Sequence, residues 1–88
     1  MKHHVKIYLD FFGYSITDFI PSEISGGKAV DIHHIERRGM GGGKNRDVIE
    51  NLIALTRDEH IEYGDKKQYM EFLKEAHKKF INSKGIKI

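Results

Sequence analysis

The sequence predicts a single small α+β domain, and three observations point there. Two short β-branched or apolar runs lie in the middle of the chain. A helix start signal stands directly behind the second, and an apolar stripe at helical spacing follows near the C-terminus. With 88 residues, residues 1–88 form one domain near the size at which a single core only just suffices. Hydrophobic residues make up 39% and charged residues 32%, the composition of an ordinary soluble globular protein.

Taken in chain order, Val5, Ile7, Leu9 and Phe11 alternate with Lys6, Tyr8 and Asp10, which predicts a half-buried N-terminal strand. Residues 13–21 read as irregular, because Pro21 interrupts any regular element there. Ser25-Gly26-Gly27-Lys28 is a turn signal. It leads into Ala29-Val30-Asp31-Ile32-His33-His34-Ile35, a second strand. A long loop over 36–47 is punctuated by Gly39 and Gly41-Gly42-Gly43. Leu52-Ile53-Ala54-Leu55 has strand length. Thr56 and Glu59 then stand at capping-box spacing, so a short helix should start at Arg57 and stop at Gly64. Asp65 and Gln68 repeat that start signal. Tyr69, Phe72, Leu73, Ala76 and Phe80 form the stripe of an amphipathic C-terminal helix over about 66–83, ending near Gly85.

Several function classes are excluded by composition. No apolar run approaches the ~20 residues needed to cross a bilayer, and no continuous apolar stretch of a secretion signal follows Met1. A cytoplasmic protein is expected, with no membrane partner. Cysteine is absent, which removes disulfides and thiolate zinc sites. The net charge of +2 is segregated. Arg37, Arg38, Lys44 and Arg46 face Glu36 alone within 36–46, residues 47–65 hold six acids against Arg57, and residues 66–88 hold seven lysines against two glutamates. Basic blocks flanking an acidic one suit a polyanion at the blocks and a cation between them. On charge alone, a solvated helix face with a charged loop is the simpler account.

His33 and His34, adjacent on a strand, should point to opposite faces and so serve different tasks. His60, on the short helix, could reach back to that strand. Two imidazoles from separate elements make an open site for a divalent ion, its shell completed by water and phosphate oxygens. Taken singly, a histidine is more often a hydrogen-bonded structural or surface group. His77 has no matching partner in the sequence, and His3 and His4 sit at the terminus; none of the three is assigned to the site.

These residues stand in a recognisable order. Asp31-Ile32-His33-His34-Ile35, Arg38-Gly39-x-Gly41-Gly42, Asp47-x-x-Glu50-Asn51-Leu52-Ile53-Ala54-Leu55 and His60-x-x-x-Gly64 together resemble the HNH endonuclease family over about residues 21–66. His34, Asn51 and His60 match its three letters. The likeness is strongest to the small stand-alone HNH proteins of phages and prophages. It implies the ββα-metal fold, here with an extra N-terminal strand and the C-terminal amphipathic helix.

By that resemblance His34 is the general base, His33 and His60 are metal ligands, and Asn51 pins the long loop and helps orient the base. Asp31 would support the metal's surroundings or an arginine from behind the ligands. One divalent ion (Mg²⁺, Mn²⁺, Ni²⁺ or Zn²⁺) is the implied cofactor. The chemistry suits the residue types: imidazole, with an ordinary pKa near 6.5, accepts a proton near neutral pH, and an Asn amide both donates and accepts without titrating.

The chain departs from many relatives in one respect. Their two Cys-x-x-Cys pairs, which hold a structural zinc, correspond here to Pro21 and Ile24 and to Thr56 and Glu59, so no structural zinc is expected. Packing and a helix cap are expected in its place.

Arg37, Arg38, Lys44 and Arg46 are candidate contacts to DNA phosphates, or simply a solvated loop. The lysines of the C-terminal helix more simply solvate it. The expected function is metal-dependent hydrolysis of DNA phosphodiesters with little sequence preference, by a monomer or homodimer whose single site per chain makes nicks. The alternative is a degenerate HNH domain that grips DNA, or serves a larger assembly, without cutting.

Overall fold

A computed structural model of the chain describes residues 2–36, 47–64 and 66–85. Within them a two-stranded antiparallel sheet is flanked by three helices: α1 (His3–Phe12), β1 (Asp31–His34), β2 (Leu52–Leu55), α2 (Arg57–Tyr63) and α3 (Met70–Ser83). One-turn 3₁₀ segments, Ile49–Asn51 and Lys67–Tyr69, precede β2 and α3. The domain is therefore α+β. No helix among the described residues is long and apolar enough to cross a membrane.

The strands pair with Asp31 opposite Leu55, Ile32 opposite Ala54, His33 opposite Ile53 and His34 opposite Leu52. Directly paired residues share a face, so the register sorts the side chains into two layers. Leu52 and Ala54 pack with Tyr8 of α1, joined by Ile32 and Phe12. On the other face Ile53 and Leu55 pack with Ile35 and Leu73 of α3, joined by Tyr63 of α2 and by Ile24. All four β2 side chains are thus buried, as its uninterrupted apolar run requires. Backbone pairing extends past β1 at both ends, where the Val30 N–H donates to Leu55 and the Ile35 N–H to Asn51.

Residues 3–12 form a helix, and the expected N-terminal strand is not there. The apolar residues of this stretch include Tyr8 and Phe12 besides the alternating four, so they satisfy a helical face as well as a strand. Tyr8 and Leu9, neighbours on that face, are the buried ones. Lys6 and Asp10 pair one turn apart at 2.7 Å. Gly13, at φ 75°, closes the helix in the left-handed conformation that costs glycine nothing.

The capping box is formed as expected. The Thr56 side chain accepts from the Glu59 N–H at 3.1 Å, and Glu59 accepts from the Thr56 N–H at 2.9 Å. The turn before β1 is tied to this cap. Ser22 Oγ accepts the N–H groups of Ile24 and Ser25 and donates to the Glu59 carboxylate. Hydrogen bonds thus join the turn at Ser22–Ser25 to the start of α2.

In α3 the buried face is Leu73, His77 and Ile81, while Phe72 remains 45% exposed. His77 has partners after all. Its Nδ1 meets the Glu23 carboxylate at 2.7 Å and its Nε2 donates to the Ile49 carbonyl at 2.7 Å. Tyr8 donates to the other Glu23 oxygen. A polar residue is tolerated on a buried helix face because both ring nitrogens are satisfied.

Candidate active site

The register of β1 sends its two histidines to opposite sides. Asp31 and His33 lie on the face that α2 covers, and His34 lies on the face that α1 covers. On the α2 side the His33 and His60 ring centres are 4.9 Å apart. His60 Nδ1 is 2.9 Å from the Asp31 carboxylate, so the strand also sets the orientation of the helix residue. Gly64 makes room for that ring. A Cβ there would lie 2.3 Å from His60 Cδ2.

On the α1 side His34 Nε2 is 2.6 Å from Asp47 Oδ1, and both side chains are largely buried, 15% and 8% exposed. The His4 ring stands 4.4 Å from the His34 ring, centre to centre. Burial is the main reason that His4's pKa falls below its ordinary value, with His34's proximity second. His3 and His4 thus lie in α1 and line the cleft wall. An open cleft of about 1020 Å³ wraps around β1 and is lined by residues from both sides, including His3, His4, His33, His34, Asp47 and His60.

Asn51 acts on the backbone rather than on a ring. Its Oδ1 accepts from the Glu36 N–H at 2.7 Å, and its Nδ2 donates to the Glu36 carbonyl at 3.0 Å. This two-point clamp, which imitates a strand pairing, seizes the chain two residues beyond His34.

The donor set suits a divalent ion. Metal–nitrogen bonds of about 2.0–2.1 Å put the centres of two imidazoles on one ion roughly 4.5–5.5 Å apart, and the His33–His60 spacing falls inside that range. With Nδ1 of His60 taken by Asp31, Nε2 is the nitrogen available to bind, and a carboxylate behind a ligand imidazole is the usual support at such centres. Among the described residues no three His, Cys, Asp or Glu side chains form a group able to hold an ion; water and substrate oxygens would have to complete the shell.

No family model, curated protein or solved structure matches the chain.

Of the residues singled out in the sequence, Asp31, His33, His34 and His60 line one cleft, while Asn51 grips the backbone at Glu36. The proposed phosphate contacts Arg37, Arg38, Lys44 and Arg46 lie outside the described residues. Two further residues at the cleft, Asp47 and His4, have no task in the sequence reading. Asp47 stands close before Asn51 in the sequence, but its partner His34 is 13 positions away, and no local signal pairs them. His4 depends on α1 being a helix.

Proposed function

We propose that this protein is a metal-dependent DNA endonuclease of the HNH kind, hydrolysing phosphodiesters with His34 as the base. The reading rests chiefly on His33 and His60, from separate elements, whose ring centres stand 4.9 Å apart. Further support comes from the strand, strand, helix order of β1, β2 and α2, which is that of a ββα-metal core.

In this reading His33 and His60 hold the divalent ion, and Asp31 keeps the His60 ring turned toward it. Bound there, such an ion supplies Lewis-acid stabilisation of the phosphate charge and of the leaving 3′-oxygen. His34 takes a proton from water as the water oxygen bonds to phosphorus; the bond to the 3′-oxygen breaks. Asn51 holds the chain at Glu36, two residues beyond His34, and so helps to fix the place of the base. Lys2 and His3 on the cleft wall, together with Arg37, Arg38, Lys44 and Arg46, would meet the DNA backbone. With one site per chain, nicking is the product.

The test is cleavage of supercoiled plasmid with Mg²⁺, Mn²⁺, Ni²⁺ or Zn²⁺, with a chelator as control. His34→Ala should lower the nicking rate by about 10²–10⁴-fold, the usual contribution of a general base. His33→Ala and His60→Ala should lose metal binding in calorimetry along with activity. Undiminished nicking by His34→Ala would remove the base from the mechanism. DNA binding without cutting under any of the four ions would assign a gripping module instead.

A further inference from the structure

We propose that Asp47 is the positioning residue of His34, holding its imidazole with the hydrogen on Nε2 and the lone pair on Nδ1. This rests on the reading of His34 as the base and adds to it the group that decides which nitrogen does the work. A neutral imidazole carries one hydrogen, and the hydrogen bond made by one nitrogen fixes the role of the other. At 2.6 Å the Asp47 carboxylate faces Nε2, and an ionised carboxylate only accepts. The hydrogen therefore belongs to Nε2, which leaves Nδ1 as the proton acceptor. The contact is largely shielded from water, since both side chains are mostly buried, and a hydrogen bond to a charged acceptor is strengthened in such surroundings.

The supporting geometry is not confined to the pair. His34 and Asp47 are 13 positions apart; His34 ends β1, and Asp47 lies two residues before the 3₁₀ segment that leads into β2. A second tie is made where Asn51 grips both backbone groups of Glu36. The two ties, one to the ring and one to the chain beyond it, fix both the angle and the place of the imidazole. A base oriented by a third group is the general arrangement in which a histidine removes a proton efficiently.

The decisive experiment combines long-range proton–nitrogen NMR with plasmid nicking, using the full chain and Asp47→Asn. The amide can turn its NH₂ toward Nε2, which moves the hydrogen to Nδ1. A comparable Asp→Asn change in a Ser-His-Asp triad costs about 10⁴-fold in turnover by installing the wrong tautomer. At pH 8 the unsubstituted protein should show His34 as the Nε2–H form. In Asp47→Asn the His34 nitrogen signals should exchange character while those of His33, His60 and His77 keep theirs. With Mn²⁺, kcat for nicking should fall at least about 10²-fold, with KM for DNA little changed. An Nδ1–H form in the unsubstituted protein would overturn the proposal. So would a folded Asp47→Asn variant with unaltered tautomer and rate. If the unsubstituted protein nicks nothing with any divalent ion, the nuclease reading fails by itself, and the NMR result alone decides whether Asp47 holds the ring.

Discussion

At the scale of single residues, a hydrogen atom on Gly64 is what lets the His60 ring lie against the end of α2. A methyl group there would meet His60 Cδ2 at 2.3 Å and the His60 carbonyl oxygen at 2.5 Å. The φ of −69° at Gly64 is open to any residue, so the constraint is space and not backbone conformation. Gly64→Ala should cost about 1–3 kcal/mol in urea unfolding, as overpacking does. By displacing the ring from Asp31 it should also weaken Mn²⁺ binding by about 10–100-fold in calorimetry, the range for disturbing a ligand's support. Unchanged affinity in the folded variant would show that His60 takes no part in holding the ion. His33, His34, Asn51 and His60 could be singled out in the sequence because their residue types and order suggest a chemistry. Asp47, His4 and His77 were not, because each takes its meaning from a partner on another element.

At the scale of elements, the join between the 22–25 turn and α2 depends on one carboxylate. Burial alone would raise the pKa of Glu59, but hydrogen bonds from Ser22, Ser25 and Thr56 together outweigh it and hold the group below its ordinary 4.5. The sign follows from that depression. The contribution of the ionised form is fully present above the unfolded value and fades as pH falls through the lower folded value. The urea midpoint should therefore drop as pH is taken below about 4.5, and Glu59→Gln should flatten that drop while lowering the midpoint at pH 7. An equally steep decline in the variant would place the acid sensitivity elsewhere. This cap was readable because its partners lie three residues apart and act through local backbone geometry. The N-terminal element was misread for a related reason. Seven residues of alternation cannot outvote a helix when apolar residues also fill the helical face, and the other side of that face is the sheet itself.

Across the whole molecule, Tyr8, Glu23, His77 and the Ile49 carbonyl form a buried polar chain. It ties α1, the turn before β1, α3 and the 3₁₀ segment before β2 into one body. The Glu23 side chain is fully buried, and burial together with Glu23 pushes the Tyr8 hydroxyl well above its ordinary pKa, so it remains a donor. His77→Ala would remove one of the two side-chain partners of the buried Glu23 carboxyl group. Leaving a buried polar group without its partner costs about 1–3 kcal/mol, a large share of the 5–15 kcal/mol that typically stabilises a domain. Urea titration should show that loss as a lower midpoint or as an absent cooperative transition; an unfolding free energy within about 0.5 kcal/mol of the unsubstituted protein's would mean that the chain contributes little.

The sequence alone determined what acts over a few residues: two strands, a capped short helix, an amphipathic C-terminal helix and a set of imidazoles in a telling order. Which rings meet was decided only by the tertiary structure. Asp31 and His60 are 29 positions apart, and Glu23 and His77 are 54 apart. Periodicity and capping are properties of neighbouring backbone, whereas these pairings are selected by the register of two strands and by which helix covers each face of the sheet.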